Sequence, residues 1–353
     1  MPSLPLAVFR ADADPRIGGG HIMRCLTLAA AFRRVGWRCA IVTIAASSAT
    51  VPALAKSGHT ILEVGGDPIA DAHRISEYFG AKADLLIIDH PGWAAIDEAH
   101  LRPAATMTMA IDGLRRRHAT DLWLDPNPDH ALEDLRQQVT AGCDILLGLQ
   151  FMPIAPAVVA ARDTSLSSRR DRGFQVGRVL VNFGAGDQSA ALELALRGIA
   201  QSGRKPRTTV VAGTHVARCR ALAGELALEC EILVWSDQLG ELMLQADLMI
   251  GAAGISAWER CCLGLPSLVT TIAENQLGTA RFLASQGAAV NLGPAGSLSP
   301  HRLAESLAGL ANNAVKLARM SSIAAGLVDG LGAERVVAAV VRHCERARPE
   351  PAA

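Results

Sequence analysis

The sequence predicts a doubly wound α/β protein made of two similar halves. Three observations predict it. Apolar strand-like runs alternate with amphipathic helix-like runs along the 353 residues. Several of the strand runs are apolar throughout, as in a parallel sheet covered on both faces. Each half opens in the same way, with a strand, a glycine-rich turn and a helix. At roughly 100–200 residues per domain, the length agrees with two domains.

In the first half the strand runs are "LAVFR", "RCAIVTI", "HTILEVG", "DLLIID" and "TMTMAID". In the second they are "RVLVNFG", "RTTVVAG", "CEILVW", "DLMIGA" and "SLVTTI". Segments such as "AALELALRGIAQSG" and "HRLAESLAGLANN" supply the helices between them. The break is expected at residues 155–177, where "APAVVAARDTSLSSRRDRGFQVG" is rich in Ser and Arg and has no clear periodicity. This gives an N-terminal domain at 1–160 and a second at 175–330. The closing segment 331–353 contains an amphipathic helix, "AERVVAAVVRHCERA", expected to pack back on the first domain, and a tail expected to fray. Two such domains imply a cleft at the carboxyl ends of their strands, where α/β folds bind ligands.

Bulk properties narrow the partners. Only 19% of the residues are charged, with 34 Lys+Arg against 34 Asp+Glu. That balance gives no electrostatic case for nucleic acid or an anionic membrane surface. The N-terminus does not read as a secretory signal, and no stretch approaches the roughly 20 apolar residues of a membrane span. The eight cysteines are scattered without zinc spacing and are read as free thiols of a reducing cytoplasm. The sequence is silent on oligomeric state.

The first turn, "RIGGGHIMRC", has the grammar of a phosphate site. Glycine lets a backbone approach a ligand, and a helix start presents free N–H groups and a positive partial charge. Neither G-x-G-x-x-G nor the P-loop pattern is present, which excludes the usual dinucleotide and P-loop NTPase readings. His21 falls in the first helical turn, where the dipole disfavours its charged form, so a neutral basic imidazole is expected. Arg24 lies three residues on, on the same face. The alternative is a glycine turn whose histidine serves structure. Asp12 is read as a group that orients His21 or binds substrate, with Asp89 and His90 as further candidates at a strand end.

The second cluster, "ADLMIGAAGISAWERCCLGLPSLVTTIAENQ", reads as strand, glycine loop, helix, strand and loop. Gly251 and Gly254 can open backbone to a phosphate, and the Ser256 hydroxyl can donate. Glu259 can accept from two ribose hydroxyls, and Asn275 and Gln276 end the next loop. Together these suggest a nucleoside diphosphate site with no lysine and no carboxylate cluster for a metal. An ordinary βαβ turn is the alternative, and Trp258 reads as core.

At "RADADPRIGGGHIMRCLTLA", "VLVNFGAGD" and "GAAGISAWERCCLGLPSLVTTIAENQ" the sequence resembles the UDP-2,4-diacetamido-2,4,6-trideoxy-β-L-altropyranose hydrolases of pseudaminic acid synthesis. These motifs span Arg10 to Gln276. The family is similar in fold to MurG-like GT-B glycosyltransferases, so the resemblance implies two Rossmann-like domains in a GT-B arrangement. It implies hydrolysis of the glycosyl C1–O bond with inversion, releasing UDP and free sugar, with neither cofactor nor metal. By position it implies His21 as general base. It implies Arg10, Asp12, Gly18, Gly20 and Arg24, with Gly254, Ser256, Glu259, Asn275 and Gln276, as substrate contacts. Departures fall at Pro91, Gly113, Leu149, Phe151, Pro156 and Ala253. Most lie where the sugar is expected, so the nucleotide is better specified than the sugar. A GT-B glycosyltransferase and a non-catalytic nucleotide-sugar binder are the competing readings.

Overall fold

The computed structural model describes residues 4–184, 188–234, 236 and 238–347. It contains two compact units. One takes the chain up to Ile154 together with the segment from Gly330; the other runs from Ala155 to Asp329. No helix among the described residues is long and apolar enough to cross a membrane.

The first unit is built on seven parallel strands: β1 Leu6–Ala11, β2 Arg38–Thr43, β3 Thr60–Glu63, β4 Ala83–Asp89, β5 Ala105–Ile111, β6 Leu122–Asp125 and β7 Asp144–Leu147. Their order is β3-β2-β1-β4-β5-β6-β7. Side chains alternate across a strand, and both faces of this sheet are covered. Ala7, Phe9, Leu85, Ile87, Met107 and Met109 therefore enter one core, while Leu6, Val8, Leu86 and Ile88 enter another. Phe9 meets Phe32 of the helix Gly20–Arg34 edge to face, with centroids 6.1 Å apart. Fully burying such a side chain stabilises by roughly 1.5–3 kcal/mol.

The helix Gly332–Ala347 belongs to this unit, its stripe of Ala333, Val336, Val337 and Val340 joining the core beside the helix Gly20–Arg34. It starts at a glycine because nothing larger fits. A Cβ on Gly332 would lie 2.0 Å from the Met152 carbonyl oxygen.

The second unit has six parallel strands: β8 Arg178–Asn182, β9 Arg207–Val211, β10 Cys230–Leu233, β11 Leu248–Ala252, β12 Ser267–Thr271 and β13 Val290–Pro294. The order is β10-β9-β8-β11-β12-β13. Val179, Val181, Ile250 and Leu268 pack with Leu192, Leu196, Ile199, Leu303 and Leu307 from the helices Ser189–Gln201 and Pro300–Ala311.

The structure differs from the sequence reading in two places. Strands β6, β7 and β13 were not among the expected runs. The first two have four residues each, and β13 carries Asn291 and Gly293 with a register shift against β12. The segment expected as a break is largely a helix, Pro156–Asp171, inside the second unit. The first unit therefore ends at Ile154 rather than 160, and the second begins at Ala155 rather than 175.

That helix was hidden because arginines hold it in place of an apolar stripe. Arg162 donates to the carbonyls of Cys262, Ala325 and Val328, at 2.5, 2.7 and 2.7 Å. Arg169, 2% exposed, donates to Ala246 and, at 2.7 Å, to Met243. These carbonyls lie at or just beyond helix ends, where partial negative charge favours a cation. Pro156 is the first helical residue, and Phe151 packs against the first unit's core. Both departures from the family pattern thus have structural roles.

Candidate functional site

In the first unit the strand order reverses between β1 and β4. Ligands of open α/β sheets bind outside the carboxyl ends of strands at such a reversal. The glycine turn follows β1, and Asp89 ends β4, paired in register with Ala11. The Asp14 carboxylate accepts the amides of Arg16 and Ile17 at 2.7 and 2.6 Å, and its carbonyl accepts that of Gly18 at 2.8 Å. Gly18 has φ +78°, a left-handed conformation that favours glycine. Gly20 begins the helix, no side chain caps that end, and His21 follows.

The ring of His21 meets the Asp89 carboxylate, Nδ1 to Oδ1, at 2.6 Å. Arg24 grips the same carboxylate with two bonds: Nε to Oδ2 at 2.7 Å and Nη2 to Oδ1 at 2.7 Å. Asp89 is fully buried, which disfavours its charge. Arg24 and His21 outweigh that penalty and hold the carboxyl well below its usual range. An ionised Asp89 accepts a hydrogen bond from Nδ1–H, which leaves the lone pair on Nε2. The His21 side chain is 21% exposed. Nε2 has no hydrogen-bond partner among the described residues.

Arg10 and Asp12 do not take the places expected of them. The Arg10 guanidinium is completely buried. It donates to Asp71 at 2.8 Å and to both Asp12 oxygens at 2.5 and 3.0 Å, and lies 4.6 Å from the Trp93 ring centroid. Asp12, 3% exposed, also accepts the Ile44 amide at 3.0 Å and lies 3.4 Å from His90 Nε2. Burial opposes its charge, but His90 and Arg10 hold it well below the usual carboxylate range. These two residues form an internal ion network beneath the turn. Asp12 does not orient His21, and neither residue offers a surface to a ligand. His90 stacks on Trp93 at 4.3 Å and belongs to the same network.

The neighbouring strand ends carry further carboxylates. Asp112, just after β5, sits among Arg116, His118 and the backbone of Leu114. His118 is buried between Glu98 Oε1 at 2.6 Å and Asp112 Oδ2 at 3.2 Å. Burial opposes its charge, but the two carboxylates push it up to about 9. Asp125, ending β6, holds His130 Nδ1 at 2.6 Å. At Pro91 the carbonyl accepts from Arg116 at 2.6 Å. At Gly113 an added Cβ would lie 3.6 Å from Asp125 Oδ1. The sequence held a signal for this rim: "RAD", "IID", "AID" and "WLD" each end a strand run in aspartate.

In the second unit the order reverses between β8 and β11. The loop after β8, "FGAGDQS", lies partly outside the described residues, at 185–187. Gly251 serves packing rather than ligand approach. Its Cβ would lie 2.5 Å from the Asn182 carbonyl oxygen of β8. Gly254 is open, and the nearest atom to its added Cβ is Gln276 Nε2 at 3.7 Å. Gln276 Oε1 accepts the Ile272 amide at 3.1 Å, so its NH2 remains for a ligand. Asn275 is exposed beside it. Ser256 Oγ accepts from Arg260 at 3.3 Å.

Glu259 lies in the helix Ser256–Cys262, and its carboxylate has no hydrogen bond or ion pair among the described residues. Burial pushes its carboxyl up to about 7, with the Arg260 charge acting the other way. A cavity of about 430 Å³ opens at the end of β12, lined by Ser189, Thr271, Ile272, Glu274, Leu277 and Pro294 among others, and not by Gly254 or Glu259. Trp258 is 5% exposed, against Phe282, as core. Among the described residues no three of His, Cys, Asp and Glu are grouped to hold a metal ion.

Residues 200–336 match the Glycosyltransferase family 28 C-terminal domain. The chain is 35% identical over 103 residues to the spore coat polysaccharide biosynthesis protein SpsG of Bacillus subtilis. That match covers 29% of this chain and 30% of the relative's length. Among solved structures, MurG of Acinetobacter baumannii superposes with a TM-score of 0.70 at 16% identity, over 96% of this chain and 100% of that one. UDP-GlcNAc 2-epimerase of Neisseria meningitidis, bound to UDP-GlcNAc, gives 0.63 at 11% identity, over 96% and 100%. At these identities the likeness shows the fold, that of the GT-B class with two parallel-sheet α/β units in one chain.

Proposed function

We propose that the protein is an enzyme acting on UDP-sugars, and specifically that it hydrolyses one. In this reading His21 Nε2 takes a proton from water as the water oxygen attacks C1. The bond from C1 to the β-phosphate oxygen breaks, and UDP leaves with its electron pair. Attack opposite the leaving group inverts the anomeric carbon. No covalent intermediate, cofactor or metal is required. Gly254, Glu259, Asn275 and Gln276 hold the nucleotide, with Glu259 accepting from the ribose. Gly18, Gly20 and the start of the first helix stand beside His21, where unpaired amides favour anionic groups. Arg24 acts through Asp89. The substrate is a UDP-linked diacetamido-trideoxy sugar, as the sequence motifs suggest.

The observation that carries this reading is the His21–Asp89 pair at the β1/β4 reversal, an oriented imidazole with a free basic nitrogen. A UDP-sugar glycosyltransferase, with an acceptor hydroxyl in place of water, is favoured by the family 28 match and the likeness to MurG. The test is incubation with UDP-sugars in H2(18)O, with and without candidate acceptors. Hydrolysis at C1–O releases UDP without an acceptor and puts the label on the sugar. UDP release only with an acceptor makes the protein a transferase. Interconversion of UDP-sugars without UDP release makes it an epimerase.

A further inference from the structure

Arg260 is 2% exposed, in the helix Ser256–Cys262 behind the loop that follows β11. Its Nη2 donates to the Ala252 carbonyl at 2.8 Å and its Nη1 to Ser256 Oγ at 3.3 Å. Gly251 makes room for it, since a Cβ there would lie 3.0 Å from Nη1. Among the described residues no carboxylate lies within ion-pair distance. Glu259 is adjacent in sequence and acts on the guanidinium at a distance, but the two form no ion pair, since successive helix positions point about 100° apart. An isolated buried cation is costly unless something compensates it. Arg169, also buried, and the half-buried Arg162 are compensated by carbonyls at helix ends. Arg260 has no such partner. It reaches the end of a strand and a hydroxyl, at the β8/β11 reversal.

We infer that Arg260 is the fixed countercharge of the nucleotide's phosphates, a positioning residue that shapes the loop Ala252–Ser256 and makes it electropositive without touching the ligand. This rests on the nucleotide reading above and deepens it. Burial pushes the Arg260 guanidinium down to about 10, which still leaves it charged at neutral pH. An arriving diphosphate adds opposite charge to the little that Glu259 supplies from a distance. The interaction is independent of the base and the ribose, so it scales with phosphate and not with uridine.

The test is titration calorimetry of the full chain with uridine, UMP and UDP, for wild type, R260Q and R260K. Wild type should gain affinity with each phosphate. Titrated at about pH 8.5, where Glu259 is ionised, R260Q should bind uridine as wild type does and lose about ten-fold or more of the gain from uridine to UDP. R260K, which keeps the charge and loses the fork, should retain most of that gain. Equal losses for all three ligands in R260Q would make Arg260 merely structural and overturn the inference, as would no loss at all. If R260Q does not fold, a folded R260K that lacks the phosphate-dependent gain overturns it. A wild type that binds UDP while R260Q is unaffected defeats this inference alone. A wild type that binds no UDP defeats the nucleotide reading and this inference together.

Discussion

The imidazole of His21 and the carboxylate of Asp89 meet at 2.6 Å although 68 residues separate them in the chain. One lies on the first helix and the other at the end of β4, and Arg24 fixes the carboxylate from the helix side. The pair has the logic of an oriented base: an ionised, fully buried acid selects the tautomer and leaves the outer nitrogen to react.

Replacing His21 by Asn or Ala should reduce kcat by about 10²–10⁴-fold, the usual worth of a positioned general base. UDP affinity, measured by calorimetry, should change little. A variant that turns over at the wild-type rate would show that His21 serves structure.

Asp89→Asn should lower kcat by a similar factor of about 10²–10⁴, because an amide can hold the ring in the wrong tautomer. The UDP dissociation constant should be unaffected. Steady-state kinetics beside UDP titration decides: normal kcat in a folded variant removes Asp89 from the mechanism.

Glu259→Gln should raise KM, with kcat largely preserved, because a ribose contact is shared by ground and transition states. A hydrogen bond to a charged group contributes about 1.5–3 kcal/mol, or roughly ten- to 150-fold in affinity. The carboxyl sits at about 7 before binding. Ribose hydroxyls donate to its ionised form, so uridine affinity should fall as pH drops below about 7. The variant should show no such fall. Uridine is the probe because it lacks a titrating phosphate. A pH-independent wild-type affinity would move the ribose away from Glu259.

His118 should remain protonated in the folded protein at pH 8, since its folded pKa is about 9. Its ordinary value is about 6.5. A raised folded pKa stabilises fully below the unfolded value, and the gain is lost as pH rises through the folded one. Stability should therefore decline between pH 6.5 and about 9, by up to about 3 kcal/mol for this group. NMR titration of the ring, with urea unfolding at both ends of the range, measures this. A ring that titrates at 6.5 contradicts the buried Glu98–His118–Asp112 cluster.

Activity should survive excess EDTA undiminished. If chelation abolishes turnover and Mg²⁺ or Mn²⁺ restores it, the metal-free mechanism fails.

The sequence by itself determined the two-unit parallel α/β plan, the placement of His21 in a first helical turn and the placement of Glu259 on a short helix after a glycine loop. These follow from local information: period-2 and period-3.6 hydrophobicity, and glycine where the backbone must turn. Short strands escaped because β6 and β7 offer only four residues of pattern each. The helix Pro156–Asp171 escaped because arginines on distant carbonyls hold it in place of an apolar stripe. The tertiary structure alone decided partners. Parallel strands pair through long crossovers, so no local pattern shows that Ala11 lies beside Asp89. That pairing made Asp89, not Asp12, the acid behind His21. The fold also turned Arg10 inward between Asp12 and Asp71, because a buried guanidinium must find carboxylates wherever the fold brings them.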